Sequence, residues 1–294
     1  MGFFKTLFTG KEETAEEKEE QKKENDFNVF KYDGIQAFRM GQYDYAIACF
    51  ERALDIRDDC ETQRYYANAL YSKNDIEGAI EEYELLMESQ PEDLSIKVGL
   101  ADMYYQTEKY DKMTDICNAV MQADQTIGMP HYLMAKMHHA QKDYINAVAQ
   151  ATLAISKADD FDQAYLLRSQ VLFEMQQYEE AEKDIDVILA KEPENDEVLM
   201  MKAGCLEVMH KDTEAKDTYR KVITLNPFIH KAYIQLGGIL MREGNKTEAA
   251  KVVEEGLAMN PEEMKDFTGE YTNWEAKMRE SFNALNPYQL GIHL

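Results

Sequence analysis

MGQYDYAIACFERALDI, residues 40–56, joins a short polar turn, a tyrosine, an acidic residue and an apolar helical run. The same grammar returns in EKYDKMTDICNAVMQA from residue 108, QKDYINAVAQATLAIS from 141 and MQQYEEAEKDIDVILA from 175. Aligning the turns brings Ala46, Ala79, Met113, Ala147, Ala181, Ala215 and Ala249 into one column, with one step of 33 and five of 34. A second small-residue column lies twelve positions earlier: Gly34, Ala67, Ala101, Ala135, Ser169, Ala203 and Gly237. Recurrence at this period is the mark of a repeat array, so the quoted stretch reads as a building unit and not as a site.

Each unit reads as two amphipathic helices with a tight turn between them. Small residues stand where the helices must approach. Bulkier ones four positions on, Phe50, Tyr83, Ile185, Tyr219 and Val253, fill the space beside the crossing, with Cys117 and Ala151 as lighter substitutes. The second helices are expected to close before Pro91, Pro193, Pro227 and Pro261, because proline cannot continue a helix and biases its predecessor towards extended backbone.

These seven units resemble the tetratricopeptide repeat family, over residues 27–261. The resemblance implies an all-α, right-handed α-solenoid of helix-turn-helix repeats, closed by a C-terminal capping helix. Three departures stand out: Met113 replaces a small residue, the tyrosine after the turn becomes Ile76, Asp212 and Lys246, and three units lack the terminal proline. Residues 262–294 are expected to supply the cap, since Met264, Phe267, Tyr271, Trp274, Met278, Phe282 and Leu285 share one helical face.

The resemblance also implies that ligands lie along the first helices. Reading the first helices at i, i+4 and i+7 gives the peptide-binding candidates Lys31, Phe38, Arg64, Asn68, Tyr71, Asp102, Tyr105, Tyr132, Lys136, His139, Gln170 and Phe173. Phe38, Tyr71, Tyr105, His139 and Phe173 form a ladder of rings that Glu207 and Met241 end. Rings offer large contact area at small entropy cost; the competing reading is that they pack on neighbouring helices. Some family members clamp acidic C-termini of heat-shock chaperones with Lys, Asn, Asn, Lys and Arg. Here only Lys31 and Asn68 match, while Ile35, Val98 and Asp102 fill the other places, so a co-chaperone-like role would have to work without the usual carboxylate clamp.

Residues 1–26 break from the repeat. TGKEETAEEKEEQKKEND is a charged tract, a linker or a solvated helix. Before it, Phe3, Phe4, Leu7 and Phe8 share a helical face, which suits docking to a membrane or a partner, or packing on the first repeat. Met1-Gly2 with Thr6 also satisfies a myristoylation pattern.

The formal charge of −24 repels phosphate backbones, so nucleic acid is an unfavourable partner. Four cysteines without CxxC spacing point to neither zinc nor a disulfide framework, and no apolar run reaches a membrane-spanning length. No phosphate loop, GxSxG elbow or HExxH helix occurs, and His131, His138 and His139 lack a completing ligand. The expectation is a non-catalytic, cofactor-free and metal-free scaffold that binds a protein or peptide. It is expected in the cytoplasm, with a weak peripheral membrane contact through the N-terminus as the alternative.

Overall fold

The computed structural model describes residues 14–259 except 159. Fourteen α-helices and no strands occur among the described residues. They are α1 (Ala15–Arg39), α2 (Tyr43–Ile56), α3 (Cys60–Ser72), α4 (Ile76–Ser89), α5 (Leu94–Gln106), α6 (Tyr110–Ala123) and α7 (Met129–Ala140). There follow α8 (Tyr144–Lys157), α9 (Asp162–Glu174), α10 (Tyr178–Lys191), α11 (Asp196–Val208), α12 (Asp212–Leu225), α13 (His230–Arg242) and α14 (Lys246–Met259). The seven helix pairs are the seven aligned sequence units, and the fold class is the all-α solenoid of tetratricopeptide type. The chain divides into two compact units, Met1–Leu133 and Met134–Leu294.

The turn between the helices of each pair is the same device seven times. Gly41, Asn74, Glu108, Lys142, Gln176, His210 and Gly244 all have positive φ. In every case the residue's N–H reaches back three positions and the next N–H reaches back five, as in Gly41 to Phe38 and Gln42 to Ala37. This is the Schellman closure, which satisfies carbonyls that the helix end would otherwise leave bare. A Cβ at Gly41 would meet nothing within 4 Å, so the turn tests backbone conformation alone. Gly41→Ala is expected to cost about 1–2 kcal/mol through the left-handed φ, read as a lowered urea midpoint with unchanged m-value.

Both small-residue columns are buried, and the fillers Phe50, Ile185 and Tyr219 are almost wholly so. Met113 is accommodated with no exposed surface despite its larger side chain. Helices α4, α10 and α12 end at Ser89, Lys191 and Leu225, two residues before Pro91, Pro193 and Pro227.

The charged tract is a solvated helix. Thr14 and Glu17 form a capping box, and residues 15–26 are exposed all round. Burial in α1 begins at Phe27, whose ring lies under the Arg57 guanidinium at 3.8 Å. Phe3, Phe4, Leu7 and Phe8, and the expected cap at 262–294 with Trp274, lie outside the described residues.

Candidate functional site

In the first unit the candidate face is built on α1, α3 and α5. Lys31 is buried, and its ammonium lies 2.9 Å from Asp59 and 2.6 Å from Glu61. Asp59 caps α3 by accepting from the Thr62 N–H. One repeat on, Arg64 donates to Asp93 at 2.6 Å, and Asp93 caps α5 through the Ser95 N–H. A basic side chain on one first helix thus ties down the start of the next.

The caps carry a pH signature. Burial alone would raise the pKa of Asp59, but the bonds from Lys31 and Thr62 outweigh it and hold the carboxyl at about 2. Ser95, with Arg64, holds Asp93 at about 2 as well. A carboxylate whose folded pKa is depressed adds stability that is complete above the ordinary value near 4 and is lost as pH falls towards 2. Asp93→Ala should therefore cost about 1 kcal/mol at pH 7 through the lost cap, with the deficit shrinking between about pH 4 and 2 in urea titrations.

Along one face of α3, Arg64 and Asn68 line a cleft of about 480 Å³ shared with Cys60, Glu61, Tyr65 and Gln90. Asn68 accepts from the Tyr83 hydroxyl at 2.8 Å. Further along the same face the Tyr71 hydroxyl accepts from the Gln106 amide, which also donates to Asp102 at 2.9 Å. Tyr105 and Tyr132 are half-buried beside Asp102, and burial first, then each tyrosine's charged and phenolic neighbours, pushes both phenol pKa values up. Half-buried Tyr71, Asp102, Tyr105 and Tyr132 thus form one patch of rings and a carboxylate, bridged by the exposed Gln106 amide.

In the second unit His139 Nε2 lies 2.9 Å from Glu174, and Phe173 is buried in the core. Lys136 and Gln170 are half-buried on α7 and α9. Glu207, which ends the ring ladder, is buried, accepts from Tyr219 at 2.9 Å and from Arg242 at 3.0 Å. Burial raises its pKa, while Arg242 and Tyr219 pull it back.

The ladder rings have structural partners within their own repeat. Phe38, Tyr105, His139 and Phe173 each sit 5.2–6.2 Å from the tyrosine five positions on, Tyr43, Tyr110, Tyr144 and Tyr178. Sequence reasoning missed a second relation. Tyr71 with Gln106, His139 with Glu174 and Glu207 with Arg242 are all clasped 35 positions apart. The available signal was the column Gln106, Ala140, Glu174, Val208, Arg242, in which polar and apolar residues alternate from the third repeat to the seventh.

Cys49, Cys60, Cys117 and Cys205 are all free. Burial pushes the thiols of Cys117 and Cys205 up to about 12, which leaves them unreactive. Among the described residues no group of His, Cys, Asp and Glu could hold a metal ion, and no helix is long and apolar enough to cross a membrane.

Tetratricopeptide repeat models match residues 34–87 and 230–263. Together with the seven registered helix pairs, they identify the chain as a tetratricopeptide-repeat protein. Among solved structures, the C-terminal part of a repeat-containing protein from Cytophaga hutchinsonii superposes with a TM-score of 0.64, at 14% identity over 79% of this chain and 96% of that one. A tetratricopeptide repeat protein from Parabacteroides merdae gives 0.58 at 14% identity, covering 88% of this chain and all of its own. YrrB, described as having an unusual peptide-binding site, gives 0.55 at 14% identity over 62% of this chain and 94% of its own. At these identities the likeness is one of fold. In sequence, the Hsp70-Hsp90 organizing protein of Triticum aestivum is 24% identical over 76% of this chain, and its Arabidopsis thaliana counterpart, organizing protein 2, is 22% identical over 76%. The chain spans about two fifths of the length of these relatives, 39% and 40%.

Proposed function

We propose that this protein is a non-catalytic interaction scaffold that receives an extended peptide or helix along the first-helix face. The observation that carries the reading is the patch of half-buried Tyr71, Asp102, Tyr105 and Tyr132 bridged by Gln106, continuous along α3 with the cleft at Arg64 and Asn68. Rings held by structural partners are already ordered, so a ligand meeting them pays little further entropy. The polar groups between them can pair with a peptide backbone. Of the remaining groove candidates, Phe38 would extend the same kind of contact within the first unit, and Lys136, His139, Gln170 and Phe173 would offer it separately within the second.

The names of the sequence relatives raise a co-chaperone-like role, and two side chains argue that any such role works without the carboxylate clamp. Lys31 already serves Asp59 and Glu61, and Asn68 already accepts from Tyr83. Asp102 adds a charge that repels a carboxylate. A peptide with an acidic C-terminus should therefore bind no better than its C-terminal amide, within about a factor of two by calorimetry.

The test of the face itself is a crosslinked pull-down read by mass spectrometry, comparing the native chain with a Tyr71→Ala, Tyr105→Ala variant whose circular dichroism is unchanged. Loss of two anchoring rings should weaken a partner by about 2 kcal/mol or more, enough to remove it from the captured set. Retention of the same partners by the variant would discard this face as the binding site.

A further inference from the structure

Helix α1 presents a second surface that the groove does not use. Lys18, Lys22, Asn25, Val29, Tyr32 and Gln36 follow steps of 4, 3, 4, 3 and 4, which places them on one helical face, and Met40 continues it. All are exposed, and the apolar members are conspicuously so: Val29 at 55%, Tyr32 at 64% and Met40 at 64%. Exposed Tyr45 of α2 lies near Asp33, at the border of this stripe. The carboxylates of the solvated half, Glu16, Glu17, Glu19, Glu20 and Glu24, fall on other faces, and Glu24 pairs with Arg57. Lys23 pairs with Glu19, whereas Lys18 and Lys22 have no ion-pair partner among the described residues. In a chain of charge −24 this stripe is basic at one end and apolar at the other, with Asp26 and Asp33 only at its edge.

An inner repeat has such a face covered by the repeat before it; the first repeat has no repeat before it among the described residues. We propose that the occupant is the chain's own N-terminal segment, Phe3 to Phe8, docked on α1 in cis. Two observations on the chain select it. The first is the order of chemistry: going back from the start of α1, the chain reads Glu13 and Glu12, then Phe8, Leu7, Phe4 and Phe3. A segment doubling back brings Glu12 beside Lys18 and, beyond Lys11, meets Val29 and Tyr32 with its apolar side chains. The second is length. From Thr14 back to Phe8 an extended chain spans about 20 Å, and α1 climbs about 17 Å between Thr14 and Asn25, so Phe8 reaches the start of the apolar stretch. Leu7, Phe4 and Phe3 then fall beside Val29 and Tyr32. A tether this short holds the segment at about millimolar effective concentration, whereas one or two turns with a single lysine bind a bilayer weakly.

The experiment uses the full chain with Cys60→Ser, leaving only buried native thiols, and compares two cysteine pairs under mild oxidation. Phe4→Cys with Tyr32→Cys should form an intramolecular disulfide about tenfold faster than Phe4→Cys with Glu20→Cys, whose second position is nearer along α1 but on its opposite side. Adding Lys18→Glu and Lys22→Glu should slow the first pair several-fold. Equal rates for the two pairs would overturn the proposal, and so would disulfides found only between two chains, which would assign the stripe to a second copy. Flotation with vesicles of phosphatidylcholine and phosphatidylglycerol supplies the remaining arm. No capture of the chain with its native N-terminus is expected. Capture that also abolishes the Phe4–Tyr32 crosslink would overturn cis docking and give these residues to the membrane.

Discussion

Arg242→Ala should lower the stability of the second unit by about 3–5 kcal/mol. The guanidinium lies 3.0 Å from Glu207 and 3.6 Å from Asp212, and Glu207 is only 5% exposed. Removing the cation strands an ionised carboxylate among Tyr219, Leu206 and Cys205, all buried. The cost should depend on pH in a defined direction. Burial already raises the Glu207 pKa, and loss of Arg242, one of the groups pulling it down, raises it further. A carboxyl whose folded pKa is raised gives stability that is present in the protonated form and is lost as pH rises through that pKa. The deficit of Arg242→Ala should therefore be larger at pH 8 than at pH 5 in parallel urea titrations; a pH-independent deficit would mean that Glu207 is not the stranded group. Replacing both partners, Glu207→Leu with Arg242→Met, should recover most of the loss, since a well-packed apolar pair avoids the desolvation of both charges.

Gly34→Ala is the second large effect, expected to cost about 1–3 kcal/mol by overpacking. A Cβ at this position would sit 2.6 Å from the Phe50 ring, and that ring is fully buried, so it has nowhere to swing. The remedy follows from the geometry. Phe50→Leu alone should destabilise by leaving a void, yet combined with Gly34→Ala it should cost less than the sum of the two. A double-mutant cycle that came out additive would show that the crossing of α1 and α2 is not set by this contact.

The fold was legible because its information is periodic. Two columns of small residues separated by twelve positions define a helix pair, and seven copies in register leave little room for another architecture. The turns were legible for a related reason. Gly41 and Gly244, and to a lesser degree Asn74, advertise a left-handed residue; Glu108, Lys142, Gln176 and His210 adopt the same conformation because the two helices they join demand it. The candidate site was less legible. That Lys31 is occupied by Asp59 and Glu61, or that Tyr71 meets Gln106, depends on how one repeat leans on the next, and no local pattern encodes that lean. The aromatic ladder could be read as a column, but its contacts with the tyrosines five positions on required the turn geometry.

The clasps at 35 positions have a consequence for how the chain could be lengthened or shortened. Their outer partners, Gln106, Glu174 and Arg242, recur every second repeat, with Ala140 and Val208 standing between them. Excising one repeat would bring Tyr71 opposite Ala140 and leave its hydroxyl without a mate. Excising two would bring it opposite Glu174, which can accept from it. Between Tyr71 and Arg242 clasped junctions therefore alternate with unclasped ones, so removing two repeats would keep that alternation where removing one would break it.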